Sequence, residues 1–171
     1  LAPPSEQDRI PSPSRNATIP HAAPELERTS HGQEPANGRS PDARQQIRVL
    51  IADDHAMVRQ GLCGLLAGYG DIQVVAEAAN GSEALALARQ WQPDVVLMDV
   101  NMPVMDGIEA TRRIKDALPD TIVIGLSVQN IAHVGHEMRE AGAAAFLNKE
   151  AAVEDLYQTI QTARRELLSR S

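Results

Sequence analysis

Five short apolar runs, each followed by a longer stretch of helical periodicity, constrain this chain more than any other feature. The runs fall at 47–52, 72–76, 95–98, 122–126 and 143–147. Runs of four to six residues, several rich in Val and Ile, read as strands buried on both faces of a sheet. Between the first two, Val58, Leu62, Leu65 and Leu66 recur at helical spacing, and Val153, Leu156, Ile160, Ala163 and Leu167 form a similar stripe near the end. Ser82 followed by Glu83 marks one helix start, Trp91 closes that helix, and Gly142 stops the helix before the last strand. No hairpin signal interrupts the alternation, so the strands run parallel with helices on both sides. The fold class is α/β, a doubly wound five-stranded parallel sheet.

The alternation begins only at Ile47. Residues 1–46 hold eight of the 11 prolines, and their large apolar residues are limited to Leu1, Ile10, Ile19 and Leu26. Such a stretch buries too little surface to offset its lost chain entropy, so a disordered Pro-rich linker is expected there. Residues 47–171 are then one domain, and they carry most of the net charge of −7. That acidic balance argues against a nucleic-acid surface, which needs clustered Lys and Arg. Cys63 is the single cysteine, so an internal disulfide or a cysteine-rich zinc site is excluded. No apolar run reaches 18 residues and no signal-peptide pattern opens the chain. A cytoplasmic setting without membrane contact is the expectation. Because the chain starts at Leu1 rather than Met, a piece of a longer protein is expected too.

In sheets of this class, ligands bind beyond the carboxyl ends of the strands. Those ends read Asp53-Asp54 after the first strand, Asp99 after the third, Ser127 after the fourth and Lys149 after the fifth. Taken singly, an Asp there is most often a cap or turn residue, Ser127 a turn hydroxyl and Lys149 a solvated surface lysine. Their joint placement on one rim changes the reading. Like charges ~4 Å apart repel by roughly 4 kcal/mol at an effective dielectric near 20. A raised pKa or a hard divalent cation relieves that repulsion, and magnesium suits an all-oxygen site.

Several segments carry a family resemblance: Ile51-Ala52-Asp53-Asp54-His55, Leu97-Met98-Asp99-Val100-Asn101-Met102-Pro103, Asp106-Gly107-Ile108, and Gly142 through Lys149. Together they resemble the receiver domain of bacterial response regulators over about residues 47–166. Asp53-Asp54-His55 with the following Met57-Val58-Arg59-Gln60-Gly61 is similar to the subgroup joined to a LuxR-type helix-turn-helix. The resemblance implies a flavodoxin-like strand order of 2-1-3-4-5. It implies Asp99 as phosphoacceptor, with Asp54, Asp99 and the Asn101 carbonyl holding Mg²⁺ and Asp53 acting mainly through a bound water. Lys149 and Ser127 would pair with phosphoryl oxygens, while Pro103 and Asp106-Gly107 shape the loop, Gly107 by tolerating unusual backbone angles. It also implies that Phe146 follows the Ser127 loop when the site is phosphorylated. One departure stands out: many receivers have Pro after this Lys, and here it is Glu150.

Other residues receive the plainer reading. His133, His136 and Glu137 are spaced as a solvated helix face rather than a metal trio. His55 is expected to be an orienting or exposed loop residue, and Cys63 a buried, inert thiol. The region 131–138 is poor in apolar residues and contains Gly135, so it is expected to be the most mobile helix and part of the signalling face. No phosphate-loop or dinucleotide-binding pattern is present in the chain.

The leading expectation is therefore a Mg²⁺-dependent phosphoacceptor switch, charged by a histidine kinase or histidine phosphotransfer protein and capable of phosphorylation-dependent dimerisation. A phosphorylation-independent pseudo-receiver is the alternative. A phosphatase of the haloacid-dehalogenase type is set aside, because those enzymes use a D-x-D pair and Asp53-Asp54 is adjacent. The surrounding protein is expected to be a hybrid sensor histidine kinase ending in this receiver. A LuxR-type regulator cut before its DNA-binding domain is the second setting.

Overall fold

The computed structural model describes residues 46–128, 131–150 and 152–169. The linker expected at 1–46 lies outside the described residues, apart from Gln46. Five strands, β1 (Ile47–Ala52), β2 (Ile72–Ala78), β3 (Val95–Asp99), β4 (Ile122–Ser127) and β5 (Ala145–Asn148), alternate with five helices. These are α1 (Ala56–Ala67), α2 (Gly81–Trp91), α3 (Gly107–Ala117), α4 (Ile131–Glu140) and α5 (Ala152–Ser169). All strand pairs are parallel, in the order β2-β1-β3-β4-β5. The expected fold class and strand order hold. One irregularity interrupts the β1–β2 ladder, where Val49 faces Val74 and Leu50 faces Ala76.

Alternate residues along each central strand feed two separate cores. Val49, Ile51, Leu97, Ile124 and Leu126 pack with Leu62, Leu66, Leu156 and Ile160 on the α1/α5 side. Leu50, Ala52, Val96, Met98 and Val123 pack with Ala84, Ala88, Ile114 and Met138 on the α2/α3/α4 side. Each fully buried Leu or Ile contributes roughly 1.5–3 kcal/mol. Aliphatic side chains fill both layers almost alone, since the whole chain has one Trp, two Tyr and one Phe. The two tyrosines, Tyr69 and Tyr157, stack on each other 4.0 Å apart, and Tyr157 donates to Asp71.

Four expectations need correction. Burial on both faces holds for β1, β3 and β4, whereas β2 and β5 are edge strands with half-buried residues. β5 starts at Ala145 rather than 143, because Ala143 and Ala144 belong to the turn that follows Gly142 at its positive φ of 103°. The second helix starts at Gly81, capped by Asn80 rather than at Ser82. The Asn80 side chain accepts from the Glu83 N–H at 2.9 Å, and the Glu83 carboxylate accepts from the Ala79 N–H at 2.7 Å.

The fourth concerns Gly107, whose φ is not in the left-handed region. Room is what it supplies: a Cβ there would lie 2.0 Å from the Asp99 carbonyl oxygen. Its own N–H donates to Val100, and Asp106 caps the new helix through the Glu109 N–H, so α3 starts hard against the end of β3. The unusual angle falls instead on the exposed Val104, at φ 70°, where the Met105 N–H closes a tight turn onto the Pro103 carbonyl. Left-handed backbone at a β-branched residue is costly and clusters at functional loops.

These glycines separate by what surrounds them. Gly107→Ala is expected to lower stability to urea by more than ~2 kcal/mol, since the obstructing atoms are backbone. Gly61→Ala meets nothing within 4 Å at its exposed position in α1 and should raise stability by about 0.5–1 kcal/mol. Equal effects from both would contradict the packing described.

Candidate functional site

The sheet order makes β1 and β3 neighbours, and both end in carboxylates at the same rim. Asp99 is the last residue of β3, and Asp53 directly follows β1; both are buried, at 3% and 0% exposure. Asp54 is an exposed residue at the same rim. Ser127 ends β4 and is fully buried, and its carbonyl accepts from the Lys149 N–H at 2.9 Å. That bond fixes the chain just past β5. From there the Lys149 ammonium reaches across β4 to lie 2.6 Å from Asp53 Oδ2 and 3.0 Å from Asp99 Oδ2. All the ionisable groups expected at the rim converge. Asn101 is an exposed residue of the loop after β3.

The Lys149 contact with Asp53 is one of charge rather than a directed hydrogen bond. Asp53 Oδ2 is buried and has no hydrogen-bond partner of suitable geometry, although the ammonium is close. Burial pushes the Asp99 carboxyl above its ordinary range and the Asp53 charge adds to the rise. The Lys149 hydrogen bond and charge, with the Asn101 N–H, only partly counter it. For Lys149, burial works against the charged form, but the close contacts and charges of Asp53 and Asp99 outweigh it and hold its pKa above the ordinary value.

Three carboxylates and one ammonium leave this rim with two uncompensated negative charges. One ligand atom from each of Asp53, Asp54, His55 and Asp99 can be chosen so that all lie within 4.8 Å of one another. The acidic oxygens, the unsatisfied Asp53 Oδ2 and the charge deficit fit a hard divalent cation. His55 caps α1 without using its side chain as a cap. Its Nδ1 lies 2.7 Å from Asp54 Oδ1 and 3.4 Å from Asp53 Oδ1, while much of the ring remains exposed. It is thus both exposed and turned onto the acidic pair.

Two supporting residues escaped the sequence reading. Arg59 donates to the Asp53 carbonyl at 2.7 Å and lies 3.4 Å from Glu77, tying the first acidic loop to α1 and β2. Partners six and 18 residues away leave no local signal. Asn148 accepts from the Glu150 N–H at 2.8 Å, forming the turn that presents Lys149. A proline at 150 has no N–H to give, so the departure from the family pattern is built into this turn. An Asn at a strand end two residues before that N–H was the available signal.

The residues set aside behave as expected, with one adjustment. His133 and His136 each lie 3.5 Å from a different carboxylate, Glu137 and Glu140, and do not converge. Cys63 is half-buried rather than buried, packed against the core. Burial first, then Glu77, pushes its thiol pKa up, which keeps it protonated. Phe146 is half-buried over Gly125, beside Met138. Among the described residues, no helix is long and apolar enough to cross a membrane.

A doubly wound sheet that gathers paired acids, a third acid, a hydroxyl and a lysine on one rim is the arrangement of a signalling receiver domain. Residues 49–161 match the profile of the response regulator receiver domain. The chain belongs to that family, the receivers of two-component systems. It is 42% identical over 115 residues to the response regulator GacA of Pseudomonas aeruginosa, covering 67% of this chain and 54% of that one. It is also 42% identical over 119 residues to the transcriptional regulatory protein LiaR of Bacillus subtilis, covering 70% and 56%. The chain thus spans about half the length of these curated relatives. Among solved structures, the response regulator domain of Thermotoga maritima CheB superposes with a TM-score of 0.66 at 31% identity, over 70% of this chain and 97% of that one. A LuxR-family response regulator from Aurantimonas gives 0.68 at 32%, over 71% and 86%.

The charge balance predicts opposite effects of two substitutions. Asp99→Asn removes a penalised carboxylate while Lys149 keeps Asp53, so stability at neutral pH should rise by about 0.5–2 kcal/mol. Lys149→Ala leaves two buried carboxylates facing each other and should lower it. Because the folded-state pKa of Asp99 is raised, its penalty is complete above that value, shrinks as pH falls through it and vanishes below the ordinary unfolded value. The Asn advantage, read by urea unfolding at stepped pH, should fade in acid. A destabilised Asp99→Asn protein at neutral pH contradicts this.

Proposed function

We propose that Asp99 accepts a phosphoryl group from a phosphohistidine on a histidine kinase or histidine phosphotransfer protein, and that the resulting acyl phosphate switches the domain. The Lys149 ammonium poised beside both Asp53 and Asp99 is the observation that supports this most. An Asp99 carboxylate oxygen forms the new bond to phosphorus. The bond from phosphorus to the donor imidazole nitrogen breaks, and its electron pair stays on that nitrogen, which takes up a proton. Lys149 balances an equatorial phosphoryl oxygen as a compact charge, and Ser127 donates to another. Asp53, Asp54, Asp99 and the Asn101 carbonyl would hold Mg²⁺, which when bound offsets repulsion between the carboxylates and the incoming phosphoryl group.

The same bond from Ser127 draws the loop after β4 inward in this reading, and Phe146, packed over Gly125, follows into the space released. Changes on α4, β5 and α5 then alter a partner surface or a homodimer, with α4 as the least protected helix. The relatives named as response and transcriptional regulators support the regulator setting. They lend none to the hybrid kinase. A cytoplasmic location accords with either.

Intact mass after incubation with acetyl phosphate tests the reading. One phosphoryl adduct is expected with Mg²⁺, none after chelation, and none on Asp99→Asn with or without the metal. A folded wild-type domain that binds Mg²⁺ yet gains no adduct overturns the reading in favour of a phosphorylation-independent interaction module.

A further inference from the structure

We propose that His55 is an additional, nitrogen ligand of the acidic rim, giving the site a preference for imidazole-seeking divalent ions such as Co²⁺ or Zn²⁺ over Mg²⁺. This rests on the reading of that rim as a divalent-cation site. Four observations carry it. His55 Nδ1 is the ring atom turned toward the acids, 2.7 Å from Asp54 Oδ1 and 3.4 Å from Asp53 Oδ1. It shares with Asp53, Asp54 and Asp99 a set of ligand atoms all within 4.8 Å of one another. The His55 side chain is not consumed by capping α1, although it stands at the cap position. Asp53 Oδ2, fully buried in the same cluster, lacks a directed hydrogen bond.

The chemistry follows from ligand type. Carboxylates, carbonyls and water suit Mg²⁺, whereas imidazole raises affinity for later first-row ions far more than for Mg²⁺. Mg²⁺ also gives up its waters reluctantly, so a neighbouring imidazole adds little to its binding. The 2.7 Å approach of Nδ1 to the Asp54 carboxylate needs the ring proton on Nδ1; to ligate, the ring carries that proton on Nε2 instead and presents the Nδ1 lone pair to the metal. The backbone amide of His55 already donates to Asp53 Oδ1 at 2.9 Å, which holds the residue against the site before any ion arrives.

The experiment titrates the whole 171-residue chain with Co²⁺ and, separately, Mg²⁺ by calorimetry, and records hyperfine-shifted imidazole protons in the Co²⁺ form. His55→Ala should weaken Co²⁺ by at least about tenfold, the scale of losing a metal-supporting group. It should abolish the shifted imidazole signals and leave Mg²⁺ affinity within about twofold. His133→Ala and His136→Ala serve as controls on exposed histidines and should change nothing. Unchanged Co²⁺ affinity in His55→Ala, imidazole signals that survive it, or an equal loss of Mg²⁺ overturns the assignment. A wild-type chain that binds neither ion, or an Asp54→Asn chain that binds both normally, instead overturns the metal site itself.

Discussion

One ammonium group held against two buried carboxylates is the constraint on which the rest of this structure depends. Neighbouring strands lie about 4.8 Å apart, so β5 is roughly 10 Å from β3 and farther still from β1. Only a long side chain on a well-fixed backbone spans that gap. The Ser127 carbonyl bond to the Lys149 N–H fixes the backbone, and the Asn148 turn aims the chain. The carboxylates are fixed in turn, Asp99 by Gly107 closing against its carbonyl and Asp53 by Arg59. Three separate connections, β1–α1, β3–α3 and β5–α5, therefore serve one charge cluster.

That cluster is assembled at the expense of stability, and the aliphatic layers supply the margin. Burial raises the Asp99 pKa even with Lys149 beside it, so the ionised form that can act as a nucleophile is less favoured than in an ordinary carboxylate. Val104 adds backbone strain in the loop after it. Both departures from local preference sit on the same rim, while the two cores beneath it are built from well-packed Val, Ile, Leu and Ala. A penalised carboxylate and a strained loop side by side on that edge mark it as the working part.

The sequence exposed most of this arrangement because its two signals are strong. Alternating apolar runs located every strand, and the acids at the ends of the first and third strands, with Ser127 and Lys149, located the rim. The limits have physical causes. An apolar run ends where the chemistry begins, so β3 and β4 extend one residue further than their runs, into Asp99 and Ser127. Edge position depends on strand order, which local pattern does not encode, so the partial exposure of β2 and β5 is implied by the family's strand order and not by the apolar runs. Gly107 was assigned conformational freedom when its role is to leave room for a carbonyl, a contact made only in three dimensions. Arg59 and the inward turn of His55 were hidden for the same reason, since both act on the acidic loop through tertiary geometry.

The central claim is that Asp99, among four clustered groups able to take a phosphoryl group, is the one that does. Trapping the phosphorylated protein with borohydride converts an aspartyl phosphate to homoserine, and peptide mass mapping then locates the change. Conversion is expected at position 99, in the tryptic peptide 90–112, and nowhere else. Conversion at Asp53 or Asp54, or a phosphoryl group that stays unreduced on His55, contradicts the claim.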